Sequence, residues 1–160
     1  MKYLLLGIAI LYTTLSFSQS PDEGYFFGVF ESNSQWLLYD KGLNFEQPDD
    51  AYRANNYFQL SYAFKNFTAG VQYESYLPDA LLGYSTAFSN GNGVATYYFN
   101  YKNEKVDLTG GYFYDQFGSG LVFRAWEERQ LGINNAIRGV RVKYNPTDYL
   151  DFTALYGQQR

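Results

Sequence analysis

The sequence predicts an all-β fold: an antiparallel up-and-down transmembrane β-barrel of which about seven strands are present, an incomplete barrel. Three observations predict it. Apolar and polar residues alternate with a period of two, connections alternate between short and long, and 21% of the chain is aromatic, with 18 Tyr and 14 Phe against 2 Trp. Successive side chains of a strand point to opposite faces, so such alternation builds a sheet with one apolar and one polar face. Tyr in this abundance suits a surface that is apolar on one side and wet on the other.

The chain opens with "MKYLLLGIAILYTTLSFSQS". A single Lys, a short apolar run and the small residues Ser16 and Ser18 before Gln19 have the plan of a secretory signal peptide. The apolar core is shorter than the roughly 20 residues of a spanning helix. Residues 1–18 are therefore read as a signal peptide and residues 19–160 as the N-terminal portion of an outer-membrane β-barrel domain. No Cys stands at the junction to carry a lipid.

A first strand is expected over about 25–39. In "NYFQLSYAF", Phe58, Leu60, Tyr62 and Phe64 share one face, and Tyr57, Gln59, Ser61 and Ala63 the other. Phe67, Ala69, Val71 and Tyr73 oppose Thr68, Gly70, Gln72 and Glu74. In the next segment Ala95, Tyr97, Phe99 and Tyr101 oppose Thr96, Tyr98 and Asn100. Val106, Leu108, Gly110, Tyr112 and Tyr114 then stand opposite Asp107, Thr109, Gly111 and Phe113. Arg138, Val140, Val142 and Tyr144 oppose Ile137, Gly139, Arg141 and Lys143. Last, Leu150, Phe152, Ala154 and Tyr156 oppose Asp151, Thr153 and Leu155.

"KN" at 65–66, "KNEK" at 102–105 and "NPTD" at 145–148 are short turns, and Pro146 should stay out of any ladder. Residues 40–54, 77–93 and 115–135 are long links. Short turns at one end and long loops at the other are the layout of an outer-membrane barrel. Segments of 8 to 10 residues also approach the 9–11 or so of a tilted spanning strand. A soluble β-sandwich alternates as well, but its inner faces are dry. Here the smaller face carries Gln, Thr, Asn, Asp, Arg and Lys. Seven strands are an odd number for such a barrel, and the chain stops at the polar "YGQQR", so the expectation is a piece of a longer barrel.

One stretch concentrates charge. In "FGSGLVFRAWEERQLGINN", Arg124, Glu127, Glu128 and Arg129 fall within six positions, beside apolar candidates for anchors at Leu121, Val122, Phe123 and Trp126. Two roles fit: a constriction that selects permeants by charge, or a brace in which Arg124 and Arg129 pair with Glu127, Glu128 or a residue such as Asp107. The lumen-lining set expected from the alternation is Gln59, Gln72, Glu74, Asp107, Arg141, Lys143 and Asp151.

The chain has no Cys, no His and a net charge of −4. That removes Ser–His and Cys–His chemistry and the usual zinc ligands. It also gives no basic footprint for nucleic acid. No enzyme, catalytic residue, cofactor or metal is expected.

The blocks "NNYFQLSYAFKNFTAGVQYESYLP", "GYFYDQFGSGLVFRAWEERQLGINNAIRGVRVKYNPTDYL" and "ESNSQWLLYD" resemble a family of outer-membrane barrel proteins from Bacteroidota, known as a domain of unknown function. The resemblance implies a barrel of several hundred residues and supplies no substrate. Its expected setting is the Gram-negative outer membrane, with membrane lipid, lipopolysaccharide and the barrel-assembly machinery as partners. The expected function is a porin-like channel subunit for passive passage of small polar solutes. The alternative is a non-channel barrel acting as scaffold or partner in an export or surface-assembly system.

Overall fold

A computed structural model describes residues 23–40, 42, 49–78, 81 and 91–160. The expected signal peptide, residues 1–18, lies outside the described residues. The strands run in chain order: β1 Tyr25–Trp36, β2 Tyr52–Phe64, β3 Phe67–Leu77, β4 Asn92–Lys102 and β5 Val106–Phe113. The short β6 Glu127–Glu128 and β7 Ile133–Asn134 follow, then β8 Ile137–Thr147 and β9 Leu150–Gln159. Seven of them form one antiparallel sheet in the order β1-β2-β3-β4-β5-β8-β9, while β6 and β7 pair with each other. The sheet is open, since β1 and β9 each have a neighbour on one side only.

The turns follow local chemistry. Lys65 takes a φ of 51°, which lets Phe64 pair with Phe67 across two residues. The Asn103 side chain accepts hydrogen bonds from the Lys105 and Val106 amides at 2.9 and 2.7 Å and closes the β4–β5 turn. β8 runs on to Thr147, further than expected. Its pairing with β9 breaks between Tyr144 and Thr147, so Pro146 does sit outside the ladder.

Pairing puts the expected faces in register. Phe30, Phe58 and Tyr73 stand side by side, as do Tyr101 with Leu108 and Tyr144 with Phe152. Most of this apolar face is exposed: Phe26, Phe30, Phe58, Leu60, Val71, Tyr97, Phe99, Val140 and Phe152 all lie open. One assignment needs correction. A bulge at Gln72/Tyr73 sets Val94 opposite Tyr73, so exposed Val94 takes the place expected for Ala95, which is buried.

The polar face is concave. Arg160, next to the end of β9, donates to Glu74 on β3 at 3.5 Å. In a flat sheet those strands would be about 19 Å apart, four spacings of about 4.8 Å, so the sheet curls to bring them together. The small buried apolar cluster also lies on this side: Phe113, Ala125 and Ile137, with Phe123 and Leu155 against it. It fixes the segment between β5 and β8 to the wall. On β3, Gly70 leaves room for the Tyr98 ring, whose hydroxyl lies 3.2 Å from Ser61 Oγ.

A Cβ at position 70 would overlap that ring. Gly70→Val is expected to destabilise the protein by about 1–3 kcal/mol in equilibrium urea unfolding. Ser61→Ala, which removes only a hydroxyl, should cost about 1 kcal/mol or less.

Candidate functional site

The segment between β5 and β8, residues 114–136, folds over the concave face and meets it at two charged clusters. The first gathers around Gln72 of β3. Its Oε1 accepts from Gln59 Nε2 at 2.6 Å and from Arg129 at 3.5 Å. Its Nε2 donates to Glu74 Oε1 at 2.9 Å and to Glu127 Oε1 at 3.1 Å. Both donors and both lone pairs of the amide are therefore used. Glu74, nearly sealed from solvent, also accepts from the Tyr76 hydroxyl at 2.7 Å and from Arg160.

Arg129 ties this cluster to the first strand. It pairs with Glu31 of β1 and with Glu127 at 3.3 Å, and its guanidinium lies 4.6 Å from the centre of the Tyr57 ring. Burial alone would lower the pKa of Arg129, but Glu127 and Glu31 outweigh it and raise the value. Asn134 Nδ2 donates to Glu127 Oε1 at 3.0 Å, and the Tyr114 hydroxyl donates to Asn134 Oδ1 at 3.1 Å. The β6–β7 pair thus presents Glu127 to the wall in a fixed orientation.

The second cluster lies on β5 and β8. Arg141 pairs with Asp107 at 3.2 Å and with Asp115 at 3.4 Å, and donates to Thr109 Oγ1 at 2.9 Å. Lys143 meets Asp115 at 2.9 Å. The chain turns back just after Phe113, so Asp115 faces residues that pair lower down with Asp107 and Thr109. Burial pushes the Asp115 carboxyl up, but Lys143, the Gln116 amide and Arg141 outweigh it and hold it below the usual range.

The expected residues divide as follows. Gln59, Gln72 and Glu74 meet in one cluster and Asp107, Arg141 and Lys143 in the other. Asp151 joins neither; it is exposed near the β8–β9 turn, beside a shallow cleft that includes Glu104, Lys105 and Asp148. Gln72 and Glu74 are buried, where an open wet lining was expected. The charged stretch also divides. Glu127 and Arg129 enter the first cluster, Glu128 is half-buried opposite Ile133 in the β6–β7 ladder, and exposed Arg124 stacks 4.6 Å from the Trp126 ring.

Two expected anchors are corrected. Leu121 and Val122 are each 92% exposed at the tip of a small hairpin closed by Phe117–Phe123 and Asp115–Ala125 hydrogen bonds. Phe123 and Ala125 are the residues that bury themselves. Sequence reasoning overlooked Glu31, Asp115, Asn134 and Arg160. Only Asp115, just past an alternating strand and six residues before the Leu-Val-Phe run, had a local signal. Among the described residues no cluster of His, Cys, Asp or Glu is placed to hold a metal ion.

An all-β antiparallel sheet with an inward-folded segment is the class this geometry defines. Residues 1–160 match the family of unknown function DUF6029, and the chain belongs to that family. No curated protein and no solved structure matches it.

Asp115→Asn tests the second cluster. A carboxyl held below its unfolded value stabilises the fold above that value, near pH 3.9, and the gain is lost as pH falls through the folded pKa. The variant is expected to unfold at lower urea than the parent at pH 7, and the gap should close below about pH 4. A gap independent of pH would mean that Asp115 acts through packing alone.

Proposed function

We propose that the sheet is part of a porin-like outer-membrane β-barrel that passes small polar solutes passively and catalyses nothing. The observation that carries this reading is the split between the faces. Strands β2 to β5 and β8 expose Phe, Tyr, Leu and Val on one side and hold hydrogen-bonded polar groups on the other, whereas β1 also sends exposed Phe27 and Val29 to the polar side, beside Ser61 and Gln59. An apolar surface this wide is far larger than a soluble monomer tolerates in water. Lipid outside and water inside is the arrangement that satisfies both faces.

The open edges of β1 and β9 bear on the same reading. In lipid each unpaired backbone group costs several kcal/mol, so closure takes further strands, from this polypeptide or another. Within that barrel residues 114–136 narrow the interior. The charges there act as a brace: Glu31, Glu127, Arg129, Asp107, Asp115, Arg141 and Lys143 are all engaged in ion pairs. Paired charges select permeants weakly by sign, so the segment sets width more than selectivity.

A second reading, a non-channel barrel serving as scaffold in an export or surface-assembly system, is favoured by one feature. The exposed Leu121–Val122 tip is an apolar contact with nothing against it among the described residues.

Planar-bilayer recording distinguishes the readings. The protein in its native membrane-inserted form is expected to conduct. Glu127→Gln with Arg129→Gln should raise single-channel conductance about twofold with little change in cation preference, since one charge of each sign is removed and Glu31, which loses Arg129, keeps its hydrogen bond from Asn33. A folded protein with no conductance favours the scaffold. A large change in ion preference would mean that the pair is a filter after all.

A further inference from the structure

Charge on the concave face is balanced almost everywhere it is buried. Glu31 and Glu127 hold Arg129, Glu74 holds Arg160, and Asp107 and Asp115 hold Arg141 and Lys143. Arg53 differs. The period of two that turns Tyr57 and Asn55 of β2 inward turns Arg53 inward as well. It is half-buried, and its Nε is sealed from solvent with no hydrogen-bond partner. Arg129 and Arg141 also leave Nε unpaired, but their outer nitrogens meet carboxylates. Among the described residues no ion pair reaches Arg53.

The positions around it supply no anion. Its register partner on β1 is Gln35, and the inward neighbours along the two strands are Asn33 and Asn55. Asn33 Nδ2 is spent on Glu31 at 2.8 Å, and Asn55 Oδ1 accepts from the Leu81 amide at 2.8 Å. Gln35 is exposed, and its side chain has no hydrogen bond among the described residues. Asp49 and Asp50, close in the chain, are exposed and do not pair with Arg53. A guanidinium drawn partly out of water calls for a counter-charge, and the wall does not provide one. We propose that Arg53, with Gln35 beside it, is a docking point for a small oxyanion, the carboxylate or phosphate group of a solute entering the lumen. This rests on the channel reading above and names the class of solute held at the mouth.

The chemistry suits that ligand. A guanidinium fork matches two oxygens of a carboxylate or phosphate, and such charge-assisted bonds are about twice as strong as neutral ones. The Gln35 amide adds donors from the neighbouring strand. Arg53 is the second residue of β2, at the end of the sheet where the long links lie. Arg129 stands over Tyr57, four residues further along β2 and about 13 Å away. A solute arriving from the long-link end therefore meets Arg53 before it meets the brace. Lipid headgroups are not the source of the oxyanion, since Arg53 faces the interior.

Inorganic phosphate is the probe, with chloride at equal ionic strength as its control, on the full chain in its membrane-inserted form at pH 7. Phosphate stabilises folded proteins in general, so the informative quantity is the difference between parent and variant in the rise of the urea midpoint. The parent is expected to gain more than Arg53→Gln across a phosphate titration, with apparent affinity about tenfold weaker in the variant. Gln35→Ala, at an exposed position, should weaken it about threefold, and reads the same site if Arg53→Gln fails to fold. Arg138→Gln, exposed on the convex face, should leave the response unchanged. An equal phosphate response in the parent and in the site variants overturns the docking point, whether or not the protein conducts. A response that depends on Arg53, in a protein that passes no current across planar bilayers, keeps the docking point and overturns the channel.

Discussion

Arg129 stands on the segment between β5 and β8, yet pairs with Glu31 on β1. Around that contact the concave face is organised. A guanidinium taken partly out of water keeps its carboxylates, because removing them leaves a charge without its partner where water reaches it poorly. The same requirement draws Glu127 against Gln72, and Gln72 against Gln59 and Glu74. Arg160 closes a second chord from β9 to Glu74. Curvature of the sheet and placement of the inserted segment are thus one problem with one solution: the strands curl until their polar side chains reach partners.

The convex face follows from the opposite requirement. Period-two alternation that sends Gln59, Gln72 and Arg141 inward necessarily sends Leu60, Val71 and Val142 outward. A one-residue slip would exchange the two sets, so both faces hold the register together. Even the bulge at Gln72/Tyr73 respects this: it buries Ala95 beside Thr96 and returns Val94 to the apolar side.

The strands were legible because their signal is local. Alternation over "NYFQLSYAF" or "IRGVRVKY" needs only neighbouring residues, and the faces read from it stand in register across β2, β3, β5, β8 and β9. The bulge was not legible, since one extra residue leaves the composition of β4 unchanged. The clusters were half legible. Gln72 and Glu74 were readable as polar-face residues, but their burial depends on Glu127 and Arg160, far along the chain. Glu31 lay in the expected first strand, where no faces were assigned, and its partner is 98 positions away. Leu121 and Val122 misled for a related reason: apolar identity marks a capacity for burial, while the tight hairpin from Asp115 to Ala125 decides which apolar residues turn inward.

The claim that the convex face meets lipid is tested most directly by collision measurements on nitroxide labels. The chain lacks Cys, so single cysteines at Phe58, Gln59, Leu60 and Phe99 can be labelled without altering its background. In reconstituted membranes the account predicts frequent collisions with oxygen, which concentrates in lipid, at Phe58, Leu60 and Phe99. Gln59 should instead be screened from oxygen, giving an alternation with a period of two. Equal accessibility at Phe58, Gln59 and Leu60, or frequent collisions with a water-soluble nickel chelate at Phe58 and Leu60, would contradict it.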